Sequence, residues 1–381
     1  MDAAEIDAVL ASVRAFIDRE VIPAEDEIEE TDAIPERLRR AAADMGLFGY
    51  ALPEEHGGLG LSMSEEVRLA MELGRAAPAF RSMFGTNNGI AGQVLVNFGT
   101  PEQQRRYLPG LAAGELVASF ALTEADAGSD PSGLRTTATR EGEEYVLNGH
   151  KRYITNAPEA DVFMVFARTT PGTGNTGISV FTVDADTPGV SVGPTDRKMG
   201  QRGAHTAEVS FDGARVPLDA LVGGVEGDGF SAAMRSLAKG RLHIAALCVG
   251  LAGRLIEESV QHAAHQTQGG TPIGEFQLVK AMLADCQTEH YAGRAMVLEA
   301  ARSYDDGSDR RLAPSCAKLY CSEMVDRVAD RAVQIHGGLG YMQEVKVSRF
   351  YRDARLFRLY EGTSEIQRTI IGTQMLRAAR S

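Results

Sequence analysis

Ile6, Val9, Leu10, Val13, Phe16, Ile17 and Val21 recur at the three- and four-residue steps of an amphipathic helix with one apolar face. The same texture returns over 36–47 and 64–76, which are rich in Ala, Arg and Leu. Between them Pro53-Glu-Glu-His-Gly-Gly-Leu-Gly60 reads as a turn-rich loop. Residues 1–118 are therefore expected to form an N-terminal helical domain. From about Ser119 the pattern shortens to turn-bounded β-rich runs at 145–147, 162–166, 178–183 and 209–211. Asn148-Gly149 reads as a hairpin turn, and 171–177 and Pro188-Gly189 as further turns. With no helical pattern between these strands, 119–228 is expected to be a central antiparallel β domain, a sandwich or barrel. The helical period resumes after Gly229: Phe276, Val279, Met282 and Leu283, then Cys316, Leu319, Tyr320, Met324, Val325 and Val328, predict a helical bundle over 229–381. The fold class is thus α+β, with helices flanking a β domain.

A chain of 381 residues can bury a sizeable core, and its 44% hydrophobic and 24% charged residues are ordinary for a globular protein. A net charge of −13 opposes binding to nucleic acid or an anionic membrane. The longest nearly apolar run, 244–253, is too short to span a bilayer, and the acidic opening segment predicts no secretory or mitochondrial leader. Cys248, Cys286, Cys316 and Cys321 fit neither a disulfide framework nor a zinc site, so a reduced, cytoplasmic compartment is expected. His262 and His265 lie beside Gln and Ala rather than carboxylates, and no metal is assigned. Acidic residues crowd the first helix, and Arg349, Arg352, Arg355 and Arg358 recur at every third position. Both series read as solvated or subunit-bridging helix faces.

The chain has no glycine-rich strand-to-helix phosphate loop and no Gly-x-Ser-x-Gly elbow. Its polar, glycine-containing segments are Phe120-Ala-Leu-Thr-Glu-Ala-Asp-Ala-Gly-Ser-Asp130, Lys151-Arg-Tyr-Ile-Thr-Asn156, Gln334-Ile-His-Gly-Gly-Leu-Gly-Tyr341 and Tyr360-Glu-Gly-Thr-Ser-Glu-Ile-Gln-Arg368. In this order and spacing they resemble the signatures of the FAD-dependent acyl-CoA dehydrogenase family. Pro53 to Gly60, Asp196-Arg-Lys-Met-Gly200, Pro272-Ile-Gly-Glu-Phe-Gln277 and Phe350-Tyr-Arg-Asp353 extend the resemblance over essentially the whole chain.

The resemblance implies that Phe120, Leu122, Thr123, Gly128 and Ser129 meet FAD, with Ser129 also at the acyl thioester. Tyr153 and Thr155 match positions beside the isoalloxazine, where the family often has Trp at 153. Thr363 belongs to the same cofactor set. Gln334 and Gly338 match positions that meet a neighbouring subunit's FAD, which implies a homo-oligomer, expected to be a tetramer. Glu361 matches the base that removes the α-proton while the β-hydride passes to flavin N5; a carboxylate lifted by desolvation suits that task. Tyr360, Gly362 and Arg241 match the substrate side. Where some branches place the base before the arginine, this chain has Gly240. The implied reaction is conversion of a short- to medium-chain acyl-CoA to its 2-enoyl-CoA, in fatty acid or amino acid catabolism, with an electron-transfer flavoprotein as acceptor.

The chain departs from the family's pattern at Gln266 and Gly269, which stand where an arginine and a phenylalanine commonly reach a neighbour's FAD. Ala238 likewise replaces a frequent aspartate. Arg81 precedes Gly99 at the spacing of glutaryl-CoA dehydrogenases, where the equivalent arginine holds a distal carboxylate. It is either a substrate-acid ligand or half of an internal ion pair. The alternatives are a desulfinase-type lyase on a short acidic acyl-CoA, which needs no base such as Glu361, and a flavin-poor CoA-binding scaffold, which the intact 123–129 segment opposes.

Overall fold

The computed structural model describes residues 3–380. Helix α1 (Ala3–Phe16) runs on through a π turn at Ile17–Val21, burying Ile6, Val13, Phe16, Ile17 and Val21 on the face that the periodicity marks. Then follow α2 (Glu25–Thr31), α3 (Glu36–Asp44), α4 (Met63–Leu73), α5 (Pro78–Asn88), α6 (Gly92–Phe98) and α7 (Pro101–Ala113). Reciprocal capping boxes, Ser62 with Glu65 and Thr100 with Gln103, start α4 and α7 by satisfying main-chain N–H groups that a helix leaves open.

Among the described residues, seven strands form the central sheet in the order β1-β4-β2-β3-β7-β6, with β5 pairing on β4. They are β1 (Ala118–Ala121), β2 (Thr137–Glu141), β3 (Glu144–Thr155), β4 (Val162–Arg168), β5 (Ile178–Asp184), β6 (Val190–Val192) and β7 (Thr206–Pro217). The ladders are antiparallel except that β1 runs parallel to β4 and one β2–β4 pair is parallel. The purely antiparallel expectation fails there because the β2–β3 hairpin acts as a crossover, returning the chain to the edge of β1 in its original direction. Asn148-Gly149 is likewise no hairpin turn. It lies inside β3, at a register shift against β7, and the hairpin closes at Gly142-Glu143. An Asn-Gly pair signals a turn locally, but long β3 and β7 ladders on both sides carry the strand through it.

After the sheet come α8 (Gly229–His265), a short β8–β9 hairpin (Thr267–Gln268, Thr271–Pro272), α9 (Gln277–Asp305), α10 (Leu312–His336), α11 (Lys346–Ala354) and α12 (Ser364–Ala378). Helix α8 is buried on every side from Gly240 to Ala252, which accounts for the apolar run there. One helical core joins residues of α1, α4 and α5 to residues of α8 through α11, while a separate core lies within the sheet domain. Phe276 and Leu278, at the start of α9, are exposed, and Val279, Met282 and Leu283 only half-buried, so this stretch of the predicted bundle face has no cover in a single chain.

The arginine series is not a solvated face. Arg349 is buried, donating to the Glu25 carbonyl at 3.1 Å and to Asp26 at 3.0 Å, with the Glu25 carboxylate 3.4 Å away. Arg352 pairs with Glu29 at 2.8 Å, and Arg358 with Asp326 at 2.9 Å and Glu323 at 3.0 Å. The acids that meet Arg349 and Arg352 belong to α2, so charge complementarity ties the two helical segments together. Glu25 is itself buried and also faces Arg254 at 3.8 Å, so Arg349→Ala would remove one of its two guanidinium partners. The variant is expected to lose about 1–3 kcal/mol of unfolding free energy, measured by urea titration.

Candidate active site

Glu361 occupies the turn between Phe357 and α12, and its backbone is left-handed (φ 52°), followed by Gly362 at φ 89°. A left-handed non-glycine residue costs roughly 1–2 kcal/mol and persists only when its surroundings hold it. The Gly362 carbonyl accepts from Lys318 Nζ (2.7 Å) and from Gln367 Nε2 (3.0 Å), which also donates to the Glu361 carbonyl (3.2 Å). Thr363 then caps α12, accepting from the Ile366 N–H at 3.3 Å. The turn throws the Glu361 side chain against α8 at Gly240, where a Cβ would overlap the carboxylate. Oε2 of Glu361 is buried without a hydrogen-bond partner. Burial raises the carboxyl above its ordinary value, and Arg81, Lys318 and Arg241 oppose that rise.

Arg81 on α5 is 7% exposed. Its Nη2 lies 3.2 Å from His243 Nδ1; a guanidinium only donates, so Nδ1 accepts. His243 Nε2 therefore carries the proton and donates to Glu66 at 2.5 Å, while Lys239 pairs with the other Glu66 oxygen at 2.7 Å. Desolvation holds the enclosed His243 below its ordinary value, consistent with this neutral tautomer. Among the described residues no carboxylate lies within ion-pair distance of Arg81, and its Nε has no partner. The aromatic rings of Tyr50, Phe80 and Phe84 are buried beside this chain of groups.

The residues on the expected cofactor side gather along β1, β3 and the loop after β1. Phe120 and Leu122 are buried, Thr123 and Thr155 half-buried, and Gly128 and Ser129 exposed. Tyr153 is left-handed (φ 58°) and 60% exposed. The Arg152 N–H donates to the Thr123 carbonyl at 2.9 Å, which joins the loop to β3 beside Tyr153. Asn156 Nδ2 donates to the Ser82 carbonyl and to Thr86 Oγ1, both at 2.9 Å, and so links β3 to the helix that carries Arg81. Gln334 and Gly338 lie apart from these groups, exposed at the end of α10. Gly269 is at the open tip of the β8–β9 hairpin, and Gln266 caps the end of α8.

No pattern along the chain assigns a role to Lys318, Gln367, Lys151 or the Glu66–His243 pair. Lys151, fully buried, donates to Glu124 (2.8 Å) and to the Phe166 (2.7 Å) and Leu122 (3.2 Å) carbonyls. Glu124 also accepts from the main-chain N–H groups of Arg135 and Thr136 and from Thr136 Oγ1. Burial pulls the lysine down to about 8 while Glu124 holds it up; burial alone would raise Glu124, yet Lys151 and its other donors bring it below its ordinary value. The signal available was a lysine inside a β-rich segment, a position that demands a counter-ion.

Family models for the N-terminal, middle and C-terminal domains of acyl-CoA dehydrogenase match residues 3–115, 119–214 and 227–376. An acyl-CoA dehydrogenase of Bacillus subtilis (strain 168) is 40% identical over 364 residues, covering 96% of each chain. The caffeyl-CoA reductase-Etf complex subunit CarC of Acetobacterium woodii is 38% identical over 352 residues, 92% of this chain and 93% of its own. The solved structure of a glutaryl-coenzyme A dehydrogenase–glutaryl-CoA complex superposes with a TM-score of 0.94 at 31% identity, covering 99% of this chain and 97% of that one.

Lys151→Met would leave Glu124 buried without its cation and is expected to cost about 3–5 kcal/mol of unfolding free energy, measured by urea titration. Adding Glu124→Gln should recover part of the loss, the sign of a coupled pair.

Proposed function

The chain belongs to the acyl-CoA dehydrogenase family of FAD-dependent oxidoreductases, and from that premise we propose that it dehydrogenates a short- to medium-chain acyl-CoA to the 2-enoyl-CoA with Glu361 as base. The observation that carries this reading is the half-buried Glu361 carboxylate, its Oε2 buried and unpaired and Arg81, Lys318 and Arg241 around it. A carboxylate so held has a free lone pair for an α-proton and a proton affinity above that of an exposed Glu. The Glu361 main-chain N–H is engaged by no other described residue and is free to donate to a thioester carbonyl.

The donor set fits FAD. Thr123, Ser129 and Thr155 offer hydroxyls, Gly128 leaves its backbone open to close approach, and the exposed Tyr153 ring offers a stacking face. Phe120 and Leu122 give the same edge an apolar base, and Thr363 brings a hydroxyl from the base's own turn. Bound there, FAD supplies the acceptor for the β-hydrogen as hydride. Tyr360 and Gly362 flank the base and Arg241 faces it, which suits them to line the thioester. The lyase alternative leaves this base without a task.

Arg81 supports an acidic acyl tail, because among the described residues no carboxylate lies within ion-pair distance of it, although its charge faces Glu361. The uncovered apolar start of α9, together with exposed Leu339 and Tyr341 near Gln334 and Gly338, supports a homo-oligomer, proposed to be a tetramer sharing FAD contacts between subunits. The caffeyl-CoA reductase relative, named as part of an Etf complex, supports an electron-transfer flavoprotein as acceptor. No helix among the described residues is long and apolar enough to cross a membrane. The free thiols Cys248, Cys286, Cys316 and Cys321 support a cytoplasmic setting. Domain bounds of 1–118, 119–228 and 229–381 follow the change from helix to sheet and back.

The test is anaerobic flavin bleaching by butyryl-, isobutyryl-, octanoyl- and glutaryl-CoA. Glu361→Gln is expected to lower turnover by roughly 10²–10⁴-fold; unchanged turnover would remove Glu361 as the base. Its raised pKa places the acid limb of kcat/KM above the pH expected of an ordinary Glu, with activity falling as pH falls through that limb. Arg81→Gln should depress kcat/KM for glutaryl-CoA by at least ~10-fold more than for butyryl-CoA. An equal effect on both would deny Arg81 the distal acid.

A further inference from the structure

Lys318 lies in the second turn of α10, fully buried, with its Nζ on the Gly362 carbonyl. A buried ammonium ordinarily has a carboxylate partner, yet among the described residues none lies within ion-pair distance of this one. The groups that face it are Glu361, Arg241 and Cys248, with Glu323 on its own helix. Burial draws it down to about 8, which leaves it charged at neutral pH. Glu361, in turn, is faced by Arg81 from α5, Arg241 from α8 and Lys318 from α10, with Tyr50 and Tyr360 alongside.

We propose that Lys318 is a positioning residue for Glu361, fixing the left-handed 361–362 turn through the Gly362 carbonyl and supplying one of the positive charges that its carboxylate faces. The inference rests on the reading of Glu361 as base. Geometry carries it. The lysine does not reach the carboxylate; it grips the next residue's carbonyl, which it shares with Gln367. A shift of the turn would move the carboxylate off Gly240 and away from the space where an α-carbon must sit. The positive charge favours the ionised, proton-accepting form of a group that burial pushes toward neutrality.

Lys318→Met keeps the length of the side chain and removes both the bond and the charge; Lys318→Gln removes the charge and keeps a donor. Holoenzyme of each, with flavin content and unfolding midpoint recorded, is assayed for kcat and for kcat/KM against pH with the acyl-CoA that best bleaches the wild type. The Met variant is expected to lose roughly 10–10²-fold in kcat per bound flavin. Its acid limb should move upward by roughly one pH unit. The Gln variant should recover part of kcat while its acid limb stays displaced, which separates the bond from the charge and serves if the Met variant fails to fold. A wild-type acid limb in both variants, or a loss that merely tracks flavin content or folded fraction, overturns the proposal. If Glu361→Gln retains turnover, the base assignment fails; if it is inactive while the Lys318 variants keep the wild-type limb, only the role of Lys318 fails.

Discussion

A carboxylate whose buried Oε2 has no hydrogen-bond partner is the constraint around which the site is arranged. Desolvation favours the neutral form of Glu361, in which a carboxyl cannot accept a proton. The protein answers with Arg81, Arg241 and Lys318 from three helices and a main-chain turn that ordinary residues avoid. None of these cations forms an ion pair with the carboxylate within bonding distance, so it keeps a lone pair available while still sensing their field. A closer cation would have quenched its basicity.

Lys151 and Lys318 apply the same device from behind the site. Each is buried, and each spends donors on main-chain carbonyls rather than on substrate-facing atoms. Lys151 pins the start of the loop that carries Thr123 to Ser129, and Lys318 pins the turn that carries Glu361. The two differ in their counter-charge. Lys151 has Glu124 at 2.8 Å and is locked, whereas Lys318 faces Glu361, the proposed base, without pairing with it.

The fold was largely legible in the sequence because helix and strand periods are local, as the apolar steps from Ile6 to Val21 and the burial of 162–166 show. The Glu361 turn was legible only as part of a motif, since a lone carboxylate before a helix would otherwise read as a dipole partner. What escaped was long-range. His243 and Glu66 meet across 177 positions and Arg349 and Asp26 across 323, and no pattern along the chain announces either contact. The same blindness made the arginine series look solvated and the Asn148-Gly149 pair look like a turn, because both local signals were overruled by partners brought in by the fold.

The helical core that receives Ile6, Phe16 and Phe80 is completed by Leu242, Phe350 and Phe357, whereas the sheet domain's own core is drawn from 121–221. During synthesis the middle of the chain can thus consolidate first, on contacts that are all in hand once that segment has emerged. The faces of α1 and α5 that pack against α8 and α11 stay uncovered until those helices have emerged. That interval is when the nascent chain has most need of a chaperone.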